Sequence, residues 1–513
     1  MVAPDVVADA RMSEAPDRPI RTAAIANLGC KVNQSEMEGA ARRLRERGIA
    51  IVDGDRPADL VLVNTCTVTA GADAKSRQAV RRARRSSPHA ALIVTGCSVE
   101  IDRAALASAD PDALLVGNRE KDALLAELDR LLRPADELTV DGSDRRGSRV
   151  DRALPTLSGV EIEGTAIDGI TDDRAAVERT RAFIKVQDGC SFFCTYCIIP
   201  AARGTERSLS PDAILADVRR AIAAGHREIV LTGINLGTYD GGWSERGARG
   251  AHRRSALTLA GLVRRLLDET GIERIRMSSI EPQHLDDDLL RTWSDGAPRT
   301  MPHVHLPLQS GADDVLRRMG RRYTSTEYAA VVDRARDAIT GVAVHGDVIV
   351  GFPTEDDAAW QRSLAFIRAI GFAGIHVFRY SARPGTAATR MAGHVDETTK
   401  KRRAGELLAI AAAARQRWAR GRVGGRADVL FEQALGDGRW SGHAADHTLV
   451  AVAPDDPTAI LENAIGHVAI DGIDPSRRDR VAGRILSLSL PPPVPSPEAA
   501  RPPLTNGASS HAR

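Results

Sequence analysis

Long apolar runs are missing from this chain. No stretch of its 513 residues approaches the ~20 consecutive apolar residues that a membrane-spanning helix needs, so no membrane partner is expected. The first 19 residues offer acids, prolines and alanines but no apolar core, which argues against a secretory signal. Net charge is also scarce: 70 Lys and Arg against 68 Asp and Glu leave +2 at pH 7. A global field that draws in nucleic acid is thereby excluded, and any such affinity must come from local patches. Cysteine is scarcest, at six residues. Without a secretory signal the expected compartment is the reducing cytoplasm, where grouped cysteines read as metal ligands and not as disulfides.

What is present fills an ordinary globular composition, 43% hydrophobic and 27% charged, in a chain too long for one core. Residues 1–18 read as a disordered leader, 19–132 as an α/β domain, 133–180 as a polar linker, 181–415 as a second α/β domain, 416–486 as a small β domain and 487–513 as a disordered tail. In the first domain the expected strands are Thr22–Leu28, Leu60–Asn64 and Leu92–Thr95, separated by helical patterns. Strand–helix–strand order implies a parallel sheet. The second domain repeats the pattern with strands expected at Ala182–Val186, Glu228–Leu231, Arg274–Ser278, His303–Leu306, Gly346–Val350 and Gly374–Phe378, which suggests an open or partial (β/α) barrel. Short strands at Ala427–Glu432, Thr448–Val452 and His467–Ile470 fit a small β-barrel.

The six cysteines fall into two sets of three. Cys190, Cys194 and Cys197 form a C-x₃-C-x₂-C loop after the first strand of the expected barrel. Cys30, Cys66 and Cys97 lie far apart in sequence, each following a strand of the first sheet. A parallel sheet brings those three strand ends to one carboxyl edge, where open α/β folds place their ligands. Three thiolates hold three irons of a [4Fe–4S] cube and leave the fourth iron open. Buried packing thiols are the alternative for the dispersed set. Zinc is the alternative for the tight set, although no nearby fourth ligand completes a structural site.

The tight triplet, in Gln187-Asp-Gly-Cys-Ser-Phe-Phe-Cys-Thr-Tyr-Cys-Ile-Ile-Pro-Ala-Ala-Arg-Gly, resembles the radical S-adenosylmethionine (SAM) superfamily. With Asn64-Thr-Cys-Thr-Val-Thr, Val94-Thr-Gly-Cys, Ser278-Ser-Ile-Glu-Pro, His305-Leu-Pro-Leu-Gln-Ser-Gly, Asp347-Val-Ile-Val-Gly-Phe-Pro and Tyr380-Ser-Ala-Arg-Pro-Gly-Thr, residues 20–486 together look like a methylthiotransferase. The β domain is similar to a TRAM module, which binds RNA. The resemblance implies two [4Fe–4S] clusters, SAM as methyl donor and radical source, a tRNA anticodon loop as partner, and an external electron donor and sulfur source. Asn27-Leu-Gly-Cys30-Lys-Val-Asn-Gln34 looks most like the branch that acts on N6-threonylcarbamoyladenosine at position 37. The isopentenyladenosine and ribosomal-protein branches are the alternatives, and a metal-bearing RNA-binding protein without catalysis is the non-enzymatic one.

Candidate SAM contacts are Gly233 after the second barrel strand, Gln309 and Ser310 after the fourth, and Glu355. Thr354 stands where the family usually has glycine, so the backbone of this loop is expected to differ. His303 and His305 share one strand face and point together; structural histidines of this kind are more common than ligands. Lys75, Arg77, Arg81, Arg82, Arg84 and Arg85 form one candidate phosphate-tracking surface. Lys400, Lys401, Arg402 and Arg403, continuing through Arg415, Arg417, Arg420, Arg422 and Arg426, form a second. The β domain itself balances its charges and has few aromatics for base stacking, so it is expected to position RNA and not to read its sequence.

Overall fold

The computed structural model describes residues 19–54, 56–120, 180–242 and 257–491. The expected leader, nearly all of the linker and the tail beyond 491 lie outside the described residues. Among the described residues no helix is long and apolar enough to cross a membrane.

Residues 22–116 build a five-stranded, all-parallel sheet in the order Ala50–Val52, Thr22–Asn27, Leu60–Thr65, Ala91–Gly96, Leu114–Val116. Leu60–Thr65 and Ala91–Gly96 are buried at every position, as central strands covered on both faces must be. The three expected strands are present within one residue at either end. The two edge strands escaped the sequence reading because three residues show no period. Thr22–Asn27 and Leu60–Thr65 are neighbours at the point where strand order reverses, the usual ligand crevice of a doubly wound sheet.

The central domain has six parallel strands in two sheets. One contains Arg181–Lys185, Glu228–Thr232 and Arg274–Met277; the other contains His303–His305, Ala343–Val350 and Gly374–Arg379. Backbone bonds from Ile275 N to Arg299 O (2.7 Å) and from Ile280 N to His305 O (2.9 Å) join the sheets into a partial barrel. Its free edge lies along Arg181–Lys185. There the first domain closes it: on the helix Lys31–Glu46, Glu38 Oε2 accepts from Phe183 N (3.5 Å) and Ser35 Oγ accepts from Lys185 N (3.2 Å). Side chains of one domain thus meet edge donors of the other, which would otherwise be unsatisfied.

The last domain is a closed barrel of Arg426–Ala434, Trp440–Ala444, Leu449–Val452, Ile465–Ile473 and Arg480–Ser489. Two boundaries differ from the sequence reading. The helix Glu397–Arg420 runs straight through the expected division at 415/416, because no glycine or proline interrupts it between Leu408 and Arg420. The final strand continues to Ser489, pairing Ser487 with His467 and Ser489 with Ile465, so the first residues assigned to the tail belong to the barrel.

This barrel plugs the amino-terminal end of the central one. Arg181, Glu228, Arg274 and His303 are the first residues of their strands. Glu228 pairs with Arg276 (2.7 Å) and Arg274 (2.8 Å), and Arg181 pairs with Glu432 of the small barrel (2.7 Å). His443 Nδ1 donates to Glu432 Oε2 at 2.6 Å, and Arg276 donates to the Ala445 carbonyl at 3.1 Å. Burial raises the pKa of Glu228, but the Arg276, Arg274 and Arg181 charges outweigh it and hold the carboxyl down at about 2.

Candidate active site

All six cysteines are free thiols. Cys66 and Cys97 directly follow their strands and Cys30 immediately precedes the helix Lys31–Glu46. The three face one another at the carboxyl edge of the sheet. Burial pushes the Cys66 thiol up to about 12, and the neighbouring Cys97 and Cys30 add to the rise. Cys97 is raised chiefly by burial too, with Cys30 again among the causes. Gly96 holds φ at 102°, and a Cβ there would collide with the Thr65 carbonyl and Asn64. The frame around the thiols is polar: Asn33 Nδ2 donates to the Leu28 and Thr65 carbonyls (2.8 and 3.0 Å), and Ser98 Oγ donates to Cys66 O (2.7 Å). Asn118 Nδ2 reaches Cys97 Sγ at 3.4 Å.

The second triplet hangs from Gln187 and Asp188. Gln187 Nε2 donates to the Gly189 carbonyl (2.8 Å) while its Oε1 accepts from Asn235 N (2.8 Å), which pins the loop to the barrel rim. Burial pushes Cys190 up to about 11 and Cys197 up to about 12, each raised further by Cys194. Arg321 Nη1 donates to Cys194 Sγ (3.5 Å) and Asn235 Nδ2 to Cys190 Sγ (3.9 Å).

Both sets fit an iron–sulfur cube better than a single ion. Among the described residues, the groups of three ligand atoms within 4.8 Å of one another consist of histidines and one aspartate, and contain no cysteine. In neither set, therefore, do all three sulfurs lie within 4.8 Å of one another, as ligands of one shared ion would. Donors from Arg321, Asn235 and Asn118 already point at sulfur, as the surroundings of a thiolate-bound cluster require. Metal binding would release the protons that burial keeps on Cys66, Cys97, Cys190 and Cys197.

A cavity of about 200 Å³ is lined by Cys197 of the second triplet and by the segment that follows Cys66 of the first. Val68 and Thr69, just after Cys66, form one wall; Tyr196, Cys197 and Ile198 form another; Gln309, Asp347 and Tyr380 complete it. Asp347 bonds His305 Nε2 (2.8 Å) and His376 Nδ1 (2.9 Å), and Ser279 Oγ meets His305 Nδ1 (2.9 Å). Burial alone would raise the Asp347 pKa, but the two imidazoles hold it well below the usual carboxylate range.

The proposed SAM contacts separate into two kinds. Gln309 lines the cavity with φ at 67°, and Gly233 sits at the rim against Gln187. Ser310 is fully enclosed and its hydroxyl accepts from Ala312 N (3.3 Å). Glu355 is also enclosed, accepting from Gly351 N (2.6 Å) and Arg403 (2.8 Å), with burial pushing it up to about 7. Ser310 and Glu355 shape loops. Thr354 adopts φ of 74°, a left-handed conformation that is costly for a β-branched residue.

The basic surfaces also divide. Lys75, Arg81, Arg82 and Arg85 are exposed and Arg77 is half-exposed. Arg84 is not available: its guanidinium spans both oxygens of buried Asp110 (2.6 and 3.3 Å) and donates to two carbonyls. In the second set Lys400 and Arg403 are buried, Arg415 pairs with Asp479 (3.1 Å), and Arg422 pairs with Asp446 (2.9 Å) while stacking on Trp418. Arg417, Arg420 and Arg426 remain exposed. Three participants went unread in the sequence: Arg203, Arg321 and Asp347. Arg203 and Asp347 lay inside quoted motifs; nothing local marked Arg321.

Two family descriptions match the chain. Residues 22–117 match the uncharacterized protein family UPF0004, and residues 184–367 match the radical SAM superfamily. Fold and matches together define a radical SAM enzyme, with SAM and [4Fe–4S] clusters as cofactors. The chain is 36% identical over 390 residues to threonylcarbamoyladenosine tRNA methylthiotransferase MtaB of Bacillus subtilis, covering 76% of this chain and 80% of that protein. It is 34% identical to the protein of the same name from Chlamydia pneumoniae over 88% and 94% of the two chains. Against tRNA-2-methylthio-N(6)-dimethylallyladenosine synthase of Maricaulis maris it is 32% identical over 90% and 96%. The chain belongs to the radical SAM methylthiotransferase family.

Proposed function

We propose that this protein adds a methylthio group to C2 of N6-threonylcarbamoyladenosine in the anticodon loop of tRNA. The observation that carries this reading is the cavity bounded on one side by the segment after Cys66 and on the other by Cys197. A base held there would be within reach of both cysteine sites at once. Cys190, Cys194 and Cys197 would hold one [4Fe–4S] cluster and Cys30, Cys66 and Cys97 the other. When bound, the clusters and SAM supply the radical, sulfur and methyl chemistry.

The chain's own residues bind and enclose. Gln187 and Asn235 fix the triplet loop, and Gln309 offers a polar side chain to a ligand in the cavity. Tyr196, Ile198 and Tyr380 give that cavity apolar walls, which exclude water from a reactive radical. Anticodon-loop bases are unstacked and are presented to such cavities singly. Exposed Arg81, Arg85, Arg417, Arg420 and Arg426 would hold phosphates outside it. A tRNA substrate implies cytoplasmic work, with an electron donor and a sulfur source as further partners.

Lys31 favours the threonylcarbamoyl substrate over the dimethylallyl one. Its ammonium has no ion-pair partner among the described residues, and Asp347 and Cys30 are the anionic groups that act on it. An adenosine that carries a carboxylate suits such a cation; an isoprenoid does not. The test is mass spectrometry of tRNA nucleosides from cells with and without the gene. The 2-methylthio derivative of N6-threonylcarbamoyladenosine should appear only with it. Methylthiolation of isopentenyladenosine alone would reject the substrate and keep the chemistry.

A further inference from the structure

Two groups of three potential ligand atoms lie within 4.8 Å of one another among the described residues. The first, His305, Asp347 and His376, is internally satisfied, because Asp347 bonds both rings and Ser279 bonds His305. The second is His303, His345 and His447, and it is not. His303 is 5% exposed, and neither of its ring nitrogens has a hydrogen-bond partner. A neutral imidazole carries one donor and one lone pair, and a buried core ordinarily meets both.

The rings converge from two domains. His303 begins one central strand, His345 lies on the next, and His447 sits in the turn between two strands of the C-terminal barrel. The His303 ring stands 4.6 Å, centroid to centroid, from both His345 and His447. Gly374 leaves room for the second ring, since a Cβ there would come within 3.0 Å of His345 Nε2. His447 holds φ at 70°, an uncommon angle for any residue but glycine, though one that histidine tolerates better than most. Residues kept in such conformations cluster at binding sites, where the surroundings over-determine them. Burial holds all three imidazoles well below the usual histidine range, with neighbouring rings and Arg276 adding to the effect. Their lone pairs are therefore free. Two cations act on these rings: Arg276, neutralised by Glu228 at 2.7 Å, and Lys31, which acts on His303 and His345.

We propose that His303, His345 and His447 form a binding site for a divalent transition-metal ion, zinc being the best fit, which pins the C-terminal barrel to the floor of the central one. Imidazole is a borderline ligand suited to zinc, and three histidines with one open position are a known zinc set. Zinc–nitrogen bonds of about 2.0–2.1 Å put tetrahedral ligand atoms about 3.3 Å apart. Ring rotations close the distance from the present spread. The ion takes the lone pair of His303 that no protein donor meets. It is separate from the iron sites, since no cysteine belongs to the group.

The test uses the holoenzyme, incubated with zinc chloride and desalted, and reads zinc by elemental analysis and by zinc K-edge X-ray absorption, which iron does not obscure. About one zinc per chain is expected, with a nitrogen shell bearing the imidazole signature and no sulfur. His447→Gln and His345→Gln should each lower retained zinc about tenfold or more while leaving iron content unchanged. Unchanged iron also shows that the variants fold. Zinc should raise the unfolding temperature of the unsubstituted protein and not of His447→Gln. Failure of the unsubstituted protein to retain zinc, or zinc retained on sulfur regardless of the histidine substitutions, overturns the proposal.

Discussion

Arg203 donates a hydrogen bond to Asn33 Oδ1, and that bond ties one cysteine-bearing segment to the other. Arg203 follows Cys197 on the helix Ile199–Arg203, and Asn33 follows Cys30 on the helix Lys31–Glu46. The same guanidinium pairs with Asp188 (2.8 Å) and Glu36 (3.2 Å), and Lys185 bridges the same two acids at 2.7 and 2.8 Å. Arg207 also reaches Asp188 (3.4 Å), so a network of three cations and two anions locks the first domain to the barrel rim, with Arg203 at its centre and 0% exposed.

Removing the guanidinium takes the most buried cation away from two acids that Lys185 and Arg207 also contact. Arg203→Met should cost about 3–5 kcal/mol, the usual penalty for breaking a buried pair. Arg203→Lys should recover part of this, because it restores charge but not the fork that reaches Asn33. Chemical denaturation checks both. A loss under about 1 kcal/mol in the Met variant would mean that the remaining cations Lys185 and Arg207 neutralise the pair.

Thr354 offers the opposite experiment. A β-branched residue at φ 74° is strained by roughly 1–2 kcal/mol, and its Oγ1 is buried without a partner. Thr354→Gly should raise stability by up to about 1 kcal/mol after the entropy glycine loses on folding. Thr354→Ala keeps the strained angle but removes the unpartnered hydroxyl, so it should gain less than Thr354→Gly. Equal midpoints for the two variants would remove strain as the explanation.

Much of this molecule was legible in the sequence, for identifiable reasons. Strands such as Leu60–Thr65 are apolar throughout most of their length and end at a cysteine, so both element and site could be read from one run of residues. The partial barrel followed from regular strand–helix repetition. The closing of its open edge by Glu38 and Ser35 did not, since those side chains lie well over a hundred residues from their partners. Charge runs misled where direction mattered: Arg84 and Arg85 are adjacent, yet one points at Asp110 and the other at solvent. The plug of ionic groups under the barrel was invisible too. Glu228, Arg274 and Arg276 look like strand residues facing water until Glu432 and His443 arrive from another domain.

That plug has a pH signature. Glu228 has a folded pKa near 2 against 4.5 in the unfolded chain, so between those values the unfolded state binds more protons. Its contribution is fully present above 4.5 and is lost as pH falls towards 2. Glu432 behaves alike: burial raises it, while Arg181 and His443 hold it down to about 2. Denaturant midpoints should fall steadily through this window. Glu228→Gln should be less stable at neutral pH yet show a shallower acid slope, and an unchanged slope would discount Glu228.

Neighbouring arginines should separate folding from RNA binding. Arg84→Ala leaves buried Asp110 without its cation and should destabilise by roughly 2–3 kcal/mol. Arg81→Ala and Arg85→Ala are surface changes and should stay within about 0.5 kcal/mol. Each should nevertheless weaken tRNA binding and reduce the dependence of log K on log salt by about 0.7–0.9 for every phosphate that the variant no longer grips. Binding isotherms at several salt concentrations decide it; an unaltered slope would take the helix Ala70–Ser86 out of the RNA surface.

Lys31 is the residue through which the proposed substrate can be tested most directly. It follows Cys30 and begins the helix Lys31–Glu46, and its charge interacts with Cys30 and with Asp347, which lines the cavity. No carboxylate within ion-pair distance neutralises it among the described residues, while Arg181 and Arg276 nearby favour an incoming anion over another cation. The threonylcarbamoyl group carries a carboxylate, and an ammonium–carboxylate contact in a confined site is strong and selective. Lys31→Gln keeps much of the length and polarity of the side chain but removes its charge. It should lower kcat/KM for tRNA bearing the threonylcarbamoyl group by about 10- to 100-fold, a loss of roughly 1.4–2.7 kcal/mol in transition-state binding. Cleavage of SAM without tRNA should be unaffected, since Lys31 is not part of the C-x₃-C-x₂-C loop. Nucleoside mass spectrometry after single turnovers, paired with assays of 5′-deoxyadenosine, separates the two effects. Equal activity of Lys31→Gln on the acidic nucleoside would assign anion recognition elsewhere in the cavity.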